Sequence, residues 1–127
     1  MLIKNKIRTG QKRIENITEA FNYSVGICLN EEMDLVIAVE NQKQLKDLNN
    51  LIEVEKLLKN KQITYDKEIK IRYITPRKQD NQNNSLLLAI NISPKFFKKI
   101  RDEYNQKIIV IQEKDKKTWI NLGASKL

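Results

Sequence analysis

The sequence predicts an α+β fold, with a mixed or mainly antiparallel sheet and helices mostly on one face. Three observations carry that expectation. Short apolar runs, Leu35 to Val39, Leu86 to Ile90 and Ile108 to Ile111, alternate with segments of helical periodicity. Hydrophobic residues make up 40% of the chain and glycine only three positions, the balance of a folded rather than a disordered polypeptide. Its 127 residues suit one domain with a sizeable core.

Residues 1–8 read as a basic N-terminal arm. Thr9-Gly10 can cap a first helix, in which Ile14, Ile17 and Phe21 recur at helical spacing through about Tyr23. "SVGICL" and "DLVIAVE" then read as two strands of a hairpin joined at "NEEM". In "NQKQLKDLNNLIEVEKLLKNK", Leu45, Leu48, Leu51, Ile52 and Leu58 share one helical face, with Asn41 as the cap. "ITYDKEIKIRYIT" alternates as a half-buried strand does, and "PRKQDNQNN", residues 76–84, reads as a mobile polar loop. "SLLLAINI" is a strand apolar on both faces. Ser93-Pro94 opens a helix in the preferred cap-then-proline order. "KIIVIQE" and "KTWINL" close the chain as a C-terminal hairpin around "KDKK".

Residues 34–112 therefore follow a βαββαβ order, the ferredoxin-like one, in which the first and third strands are central. "LVIAV" and "LLLAI" have the unbroken apolar character of strands covered on both faces. One conflict is built in. A central strand has two neighbours, so "DLVIAVE" cannot pair with "SVGICL" and also hold the central place of that order. The expected core comprises Leu35, Ile37, Val39, Leu88, Ile90, Ile109 and Ile111.

Several chemistries are excluded outright. The chain has no histidine, which removes Ser-His-Asp and Cys-His catalysis and histidine-ligated zinc. Its one cysteine, Cys28, cannot form an intramolecular disulfide and reads as a buried reduced thiol, in keeping with a cytoplasmic location. No phosphate-binding glycine loop is present, nor a secretory signal, nor an apolar run long enough to span a bilayer. Glu31, Glu32 and Asp34 could hold Mg²⁺, but solvated turn acids are the commoner arrangement. Asp34 and Glu40 lie roughly 20 Å apart along a strand, too far to share one metal. Glu55 falls within the apolar stripe of the second predicted helix and is a candidate buried base, with pairing to Lys59 the simpler account. No catalytic residue, metal or cofactor is expected.

What remains is charge. The net charge is +8, but lysine, asparagine and isoleucine share A/T-rich codons and together make up 51 residues, so where the charge sits is more telling than its total. Residues 1–13 carry five cations and no acid, residues 14–55 two cations against nine acids, and residues 56–127 seventeen cations against seven acids. Such asymmetry suggests a polarised surface. The segment "NISPKFFKKIRDEYNQK" packs Lys95, Lys98, Lys99 and Arg101 around Phe96, Phe97, Ile100 and Tyr104. With the arm (Lys4, Lys6, Arg8, Lys12, Arg13) and the run Arg72, Tyr73, Arg77, Lys78, these residues are the candidate contacts to nucleic-acid phosphates. The function expected is that of a small non-enzymatic accessory protein binding nucleic acid through its backbone. The alternative is a protein-binding inhibitor or adaptor of a phage or other mobile element, using its edge strands and acidic segment on a host protein. No membrane partner is expected.

Overall fold

The structure, a computed structural model, describes residues 6–9, 13–77, 84–104, 106–111, 116–122 and 124–126. In chain order the elements are β1 (Lys6–Thr9), α1 (Arg13–Glu31), β2 (Asp34–Ala38), a 3-10 segment (Gln42–Leu48), α2 (Val54–Asn60), β3 (Gln62–Tyr65), β4 (Ile69–Ile74), β5 (Ser85–Ile90), α3 (Pro94–Ile100), a 3-10 turn (Arg101–Glu103), β6 (Gln106–Ile111), α4 (Lys116–Asn121) and β7 (Ser125–Lys126). The strands form one sheet in the order β3-β4-β2-β5-β6-β1-β7. The fold is α+β with a mixed sheet, and residues 62–111 together with β2 supply five adjacent strands of it.

The direction of the strands differs from the expectation. Only β3 and β4 pair antiparallel; β2–β4, β2–β5, β5–β6, β1–β6 and β1–β7 are all parallel. Residues 34–111 therefore do not follow the antiparallel ferredoxin-like arrangement. A helical segment carries the chain from the end of β2 back before β4, and another from the end of β5 back before β6. Each such return makes the two strands parallel. The conflict over β2 is resolved: its neighbours are β4 and β5.

Helices cover both faces rather than mostly one. Along β2 and the residue after it, odd-numbered Leu35, Ile37 and Val39 face a core layer with Ile17, Phe21 and Cys28 of α1, Leu45 and Leu48 of the 3-10 segment, and Leu57 of α2. Even-numbered Val36 and Ala38 face a second layer with Phe96, Phe97 and Ile100 of α3 and Trp119 of α4. The helical connections running toward β4 cross one face, and the helical connections running toward β7 cross the other, the pairing that a single crossover hand requires. The winding reverses between β2 and β5. The expected core residues Leu35, Ile37, Val39, Leu88, Ile90 and Ile109 are all buried. Ile111 lies outside the described side chains.

Five expected elements take another form. Residues 6–8 of the expected arm belong to strand β1, and the single helix expected over 41–61 is the 3-10 segment and α2, separated at residues 49–53. "SVGICL" is the second half of α1, not a strand, because Ile17, Ala20, Phe21, Ser24 and Cys28 make one continuous buried stripe at helical spacing. The helix stops where Glu32 takes a left-handed φ of 54° and the Met33 N–H donates to the Cys28 carbonyl at 3.0 Å, the closing bond of a Schellman cap. The long strand over "ITYDKEIKIRYIT" is a tight hairpin, β3 and β4, turning through Asp66 and Lys67 at φ 52° and 61°. "KTWIN" is α4, so no C-terminal hairpin forms; Trp119 is buried edge-on against Phe97, their centroids 5.0 Å apart. The expected loop over 76–84 lies largely outside the described residues.

Candidate nucleic-acid interface

Helix α3 forms where the sequence places it. The Ser93 side chain accepts from the Phe96 N–H at 3.1 Å, Pro94 occupies the first turn, and Phe96, Phe97 and Ile100 bury against the sheet. That anchoring turns Lys95, Lys98 and Lys99 outward, and all three are exposed. At spacings of three and four residues they stand side by side on one ridge. Lys98 and Lys99 lie in the last turn, where the helix dipole favours cations, so part of this ridge stabilises the helix itself. Arg101 follows, half-exposed, with its Nε 3.9 Å from Asp102.

The N-terminal end of α3 meets the loop that leaves β2. The Ser93 N–H donates to Glu40 Oε1, tying the loop after β5 to the loop after β2. Gln44 Oε1 accepts from the Glu40 N–H at 2.6 Å and the Asn41 N–H at 3.3 Å, and Asn41 Oδ1 accepts from the Lys43 N–H at 3.0 Å, a reciprocal capping box. Gln42 Nε2 donates to the Tyr73 hydroxyl at 3.1 Å. Beside these groups opens a cavity of about 580 Å³ lined by Glu40, Asn41, Gln42, Thr75, Pro76 and Arg77. Arg77 and Lys43 are exposed.

The opposite end of the sheet is closed by internal pairing. Arg72 Nη1 lies 2.8 Å from Asp34 Oδ2, and its Nη2 donates to Ser85 Oγ at 3.0 Å. Gln106 Nε2 donates to Glu31 Oε2 at 2.7 Å. Cys28 is buried, its Sγ 3.6 Å from the Asp34 carbonyl oxygen; burial first, then the nearby charges of Asp34 and Glu31, push its thiol from the ordinary 9.0 up to about 12. Asp34 and Glu31 thus serve internal pairing, and among the described residues no three His, Cys, Asp or Glu side chains gather closely enough to hold a metal. Glu55 is exposed in the first turn of α2, not inside the apolar stripe.

The candidate phosphate-binding residues divide accordingly. Lys95, Lys98, Lys99 and Arg77 stand open to solvent. Arg72 and Tyr73 do not belong with them: they are 8% and 2% exposed, because β4 lies inside the sheet, between β3 on one side and β2 on the other. The side chains of Lys6, Arg8 and Arg13 and the whole of Lys4, Lys12 and Lys78 lie outside the described residues. Sequence reasoning missed the grouping of Glu40, Gln42 and Arg77, since only strand direction brings the ends of β2 and β4 to one rim. Among the described residues no helix is long and apolar enough to cross a membrane. Comparison with protein-family models, with curated proteins and with solved structures finds no match for this chain.

Proposed function

We propose that the protein is a non-enzymatic nucleic-acid-binding protein that holds the backbone by its phosphates. The observation that carries this reading is the ridge of α3, where three ammonium groups project from a helix fixed by Phe96, Phe97 and Ile100. Cations on a rigid element engage phosphates with little ordering cost, and they read no sequence. Arg77, after β4, and Lys43, in the first turn of the 3-10 segment after β2, are exposed cations at the same end of the sheet.

The test is the salt dependence of binding. Replacing Lys95, Lys98 and Lys99 together by alanine should flatten the slope of log K against log salt on duplex DNA by about 2.7, at about 0.9 for each phosphate no longer neutralised. Unrelated sequences should be affected alike. Exposed substitutions of this kind leave folding within about 0.5 kcal/mol, so a thermal melt distinguishes weakened binding from a damaged fold. An unchanged slope would refute the reading and favour a protein partner instead. The observation on that side is the outer face of α1, where residues 22–30 carry no charge and Tyr23 and Leu29 are 37% and 40% exposed.

A further inference from the structure

The α3 ridge explains how a strand of nucleic acid could be held, but it leaves the neighbouring cavity unused. In sheets of parallel strands with helices on both faces, ligands enter at the C-terminal ends of the strands, near the point where the winding reverses. Here the reversal lies between β2 and β5, and the Ser93 N–H on Glu40 bridges the two loops across it. The opening lies one strand away, between the ends of β2 and β4, and its volume of about 580 Å³ is that of a small-molecule site.

We propose that this cavity takes the end of a ribonucleotide chain, with Arg77 on the phosphate and Glu40 on the ribose hydroxyls; this rests on the nucleic-acid reading above. The lining sets an anion and a cation on one cavity. A carboxylate accepts from a pair of adjacent hydroxyls, and a guanidinium presents parallel donors to phosphate oxygens. A ribonucleotide carries both partners; inorganic phosphate carries one, and a deoxynucleotide lacks the second hydroxyl. Glu40 is held for this role by groups outside the cavity's ligand space. Ser93 donates to one of its carboxylate oxygens, and Gln44 takes its backbone N–H. The second carboxylate oxygen retains its capacity to accept. Gln42, whose Nε2 is committed to Tyr73, keeps its amide oxygen as an acceptor on the same wall.

The experiment titrates the full chain with adenosine 5′-monophosphate, its 2′-deoxy analogue and inorganic phosphate, followed by calorimetry. The ribonucleotide should bind saturably and at least fivefold tighter than the deoxy form, with phosphate weakest. Arg77→Gln should weaken both nucleotides by a similar factor. Glu40→Gln should abolish the difference between them, while its amide oxygen still accepts from Ser93 and a thermal melt confirms the fold. No saturable binding of the ribonucleotide, equal affinity for both nucleotides, or discrimination that survives Glu40→Gln would each overturn the proposal. The two readings fail separately. Polynucleotide binding that depends on Lys95, Lys98 and Lys99 without mononucleotide binding removes only the cavity; mononucleotide discrimination without polynucleotide binding removes only the ridge.

Discussion

Removing Asp34 should cost far more stability than removing the residue it pairs with. Arg72 and Asp34 meet at 2.8 Å, with side-chain exposures of 10% and 32%. Asp34→Ala takes the Asp34 carboxylate away from a nearly enclosed guanidinium that cannot lose its proton, with the neutral Ser85 Oγ still accepting from it. Breaking a fully buried pair from one side costs about 3–5 kcal/mol, and the partial exposure of Asp34 lowers that to about 2–4 kcal/mol. Arg72→Met reverses the situation. It leaves a carboxylate that water already reaches and fills the space with an unbranched apolar chain, so the loss should stay below about 1.5 kcal/mol. The assay is urea unfolding followed by far-ultraviolet circular dichroism, with an unchanged m-value showing that only stability has moved. The double variant should sit closer to Arg72→Met than to Asp34→Ala, since the enclosed guanidinium is then gone as well. An Asp34→Ala protein within about 0.5 kcal/mol of the wild type would refute the argument, as would equal losses for the two single variants. Arg72→Met should also leave the salt slope of nucleic-acid binding untouched, although it removes one cation.

Cys28 should resist alkylation at neutral pH in the folded protein and react at once in denaturant. With its folded value about 12 against 9.0 when exposed, the folded state holds the proton more tightly; the contribution is full below pH 9 and is lost as pH rises toward 12, which titration of unfolding free energy would show. Glu32→Gly should raise stability by up to about 1 kcal/mol in the same urea assay, since a left-handed position costs a side chain about 1–2 kcal/mol and glycine gives back part of that as unfolded-chain entropy. Lys117→Ala on α4 should flatten the salt slope by about 0.9 on duplex DNA, whereas Lys56→Ala on α2 should leave it unchanged, although both remove one exposed lysine.

What could be read from the sequence depended on whether the signal was local. The cap and proline of α3 are contained in Ser93 and Pro94, and the structure keeps both. The unbroken apolar runs of β2 and β5 announced strands covered on two faces, and those strands lie side by side at the centre. The end of α1 was hidden for an equally local reason. A Schellman cap usually advertises itself with glycine, and here glutamate holds that position at Glu32. The β3–β4 turn likewise uses Asp66 and Lys67 where glycine or asparagine would mark it. Gly26 misled in the other direction, since it stands mid-helix with nothing within 4 Å of a Cβ placed on it. Strand direction has no local signal at all. A period of two is the same whether the neighbour runs up or down, so the placement of Arg72 inside the sheet and of Arg77 at its rim could not be separated in advance.

Strand direction also determines what the uneven charge along the chain becomes in space. With a single crossover hand, connections running one way along the sheet cover one face and those running back cover the other. The first set here is drawn from residues 13–60 and the second from residues 94–121. Helix α1 carries Glu15, Glu19 and Glu31 against Arg13 alone, and α2 mixes Glu55 with Lys56 and Lys59. Helices α3 and α4 carry Lys95, Lys98, Lys99, Lys116 and Lys117 and no acid. Segregation by position in the chain is thereby converted into segregation by face. Codon usage can supply lysines, but it does not withhold acids from two helices that share one side of a sheet. On the proposed reading a polyanion should meet Lys95, Lys98, Lys99 and Lys117 on the α3–α4 side, where Asp102 and Glu103 of the 3-10 turn are the exposed acids nearest α3 in the chain. The contrast between Lys117 and Lys56 tests the difference between the faces, because the two substitutions change the net charge equally and take it from opposite faces, Lys56 standing also 3.8 Å from Glu53.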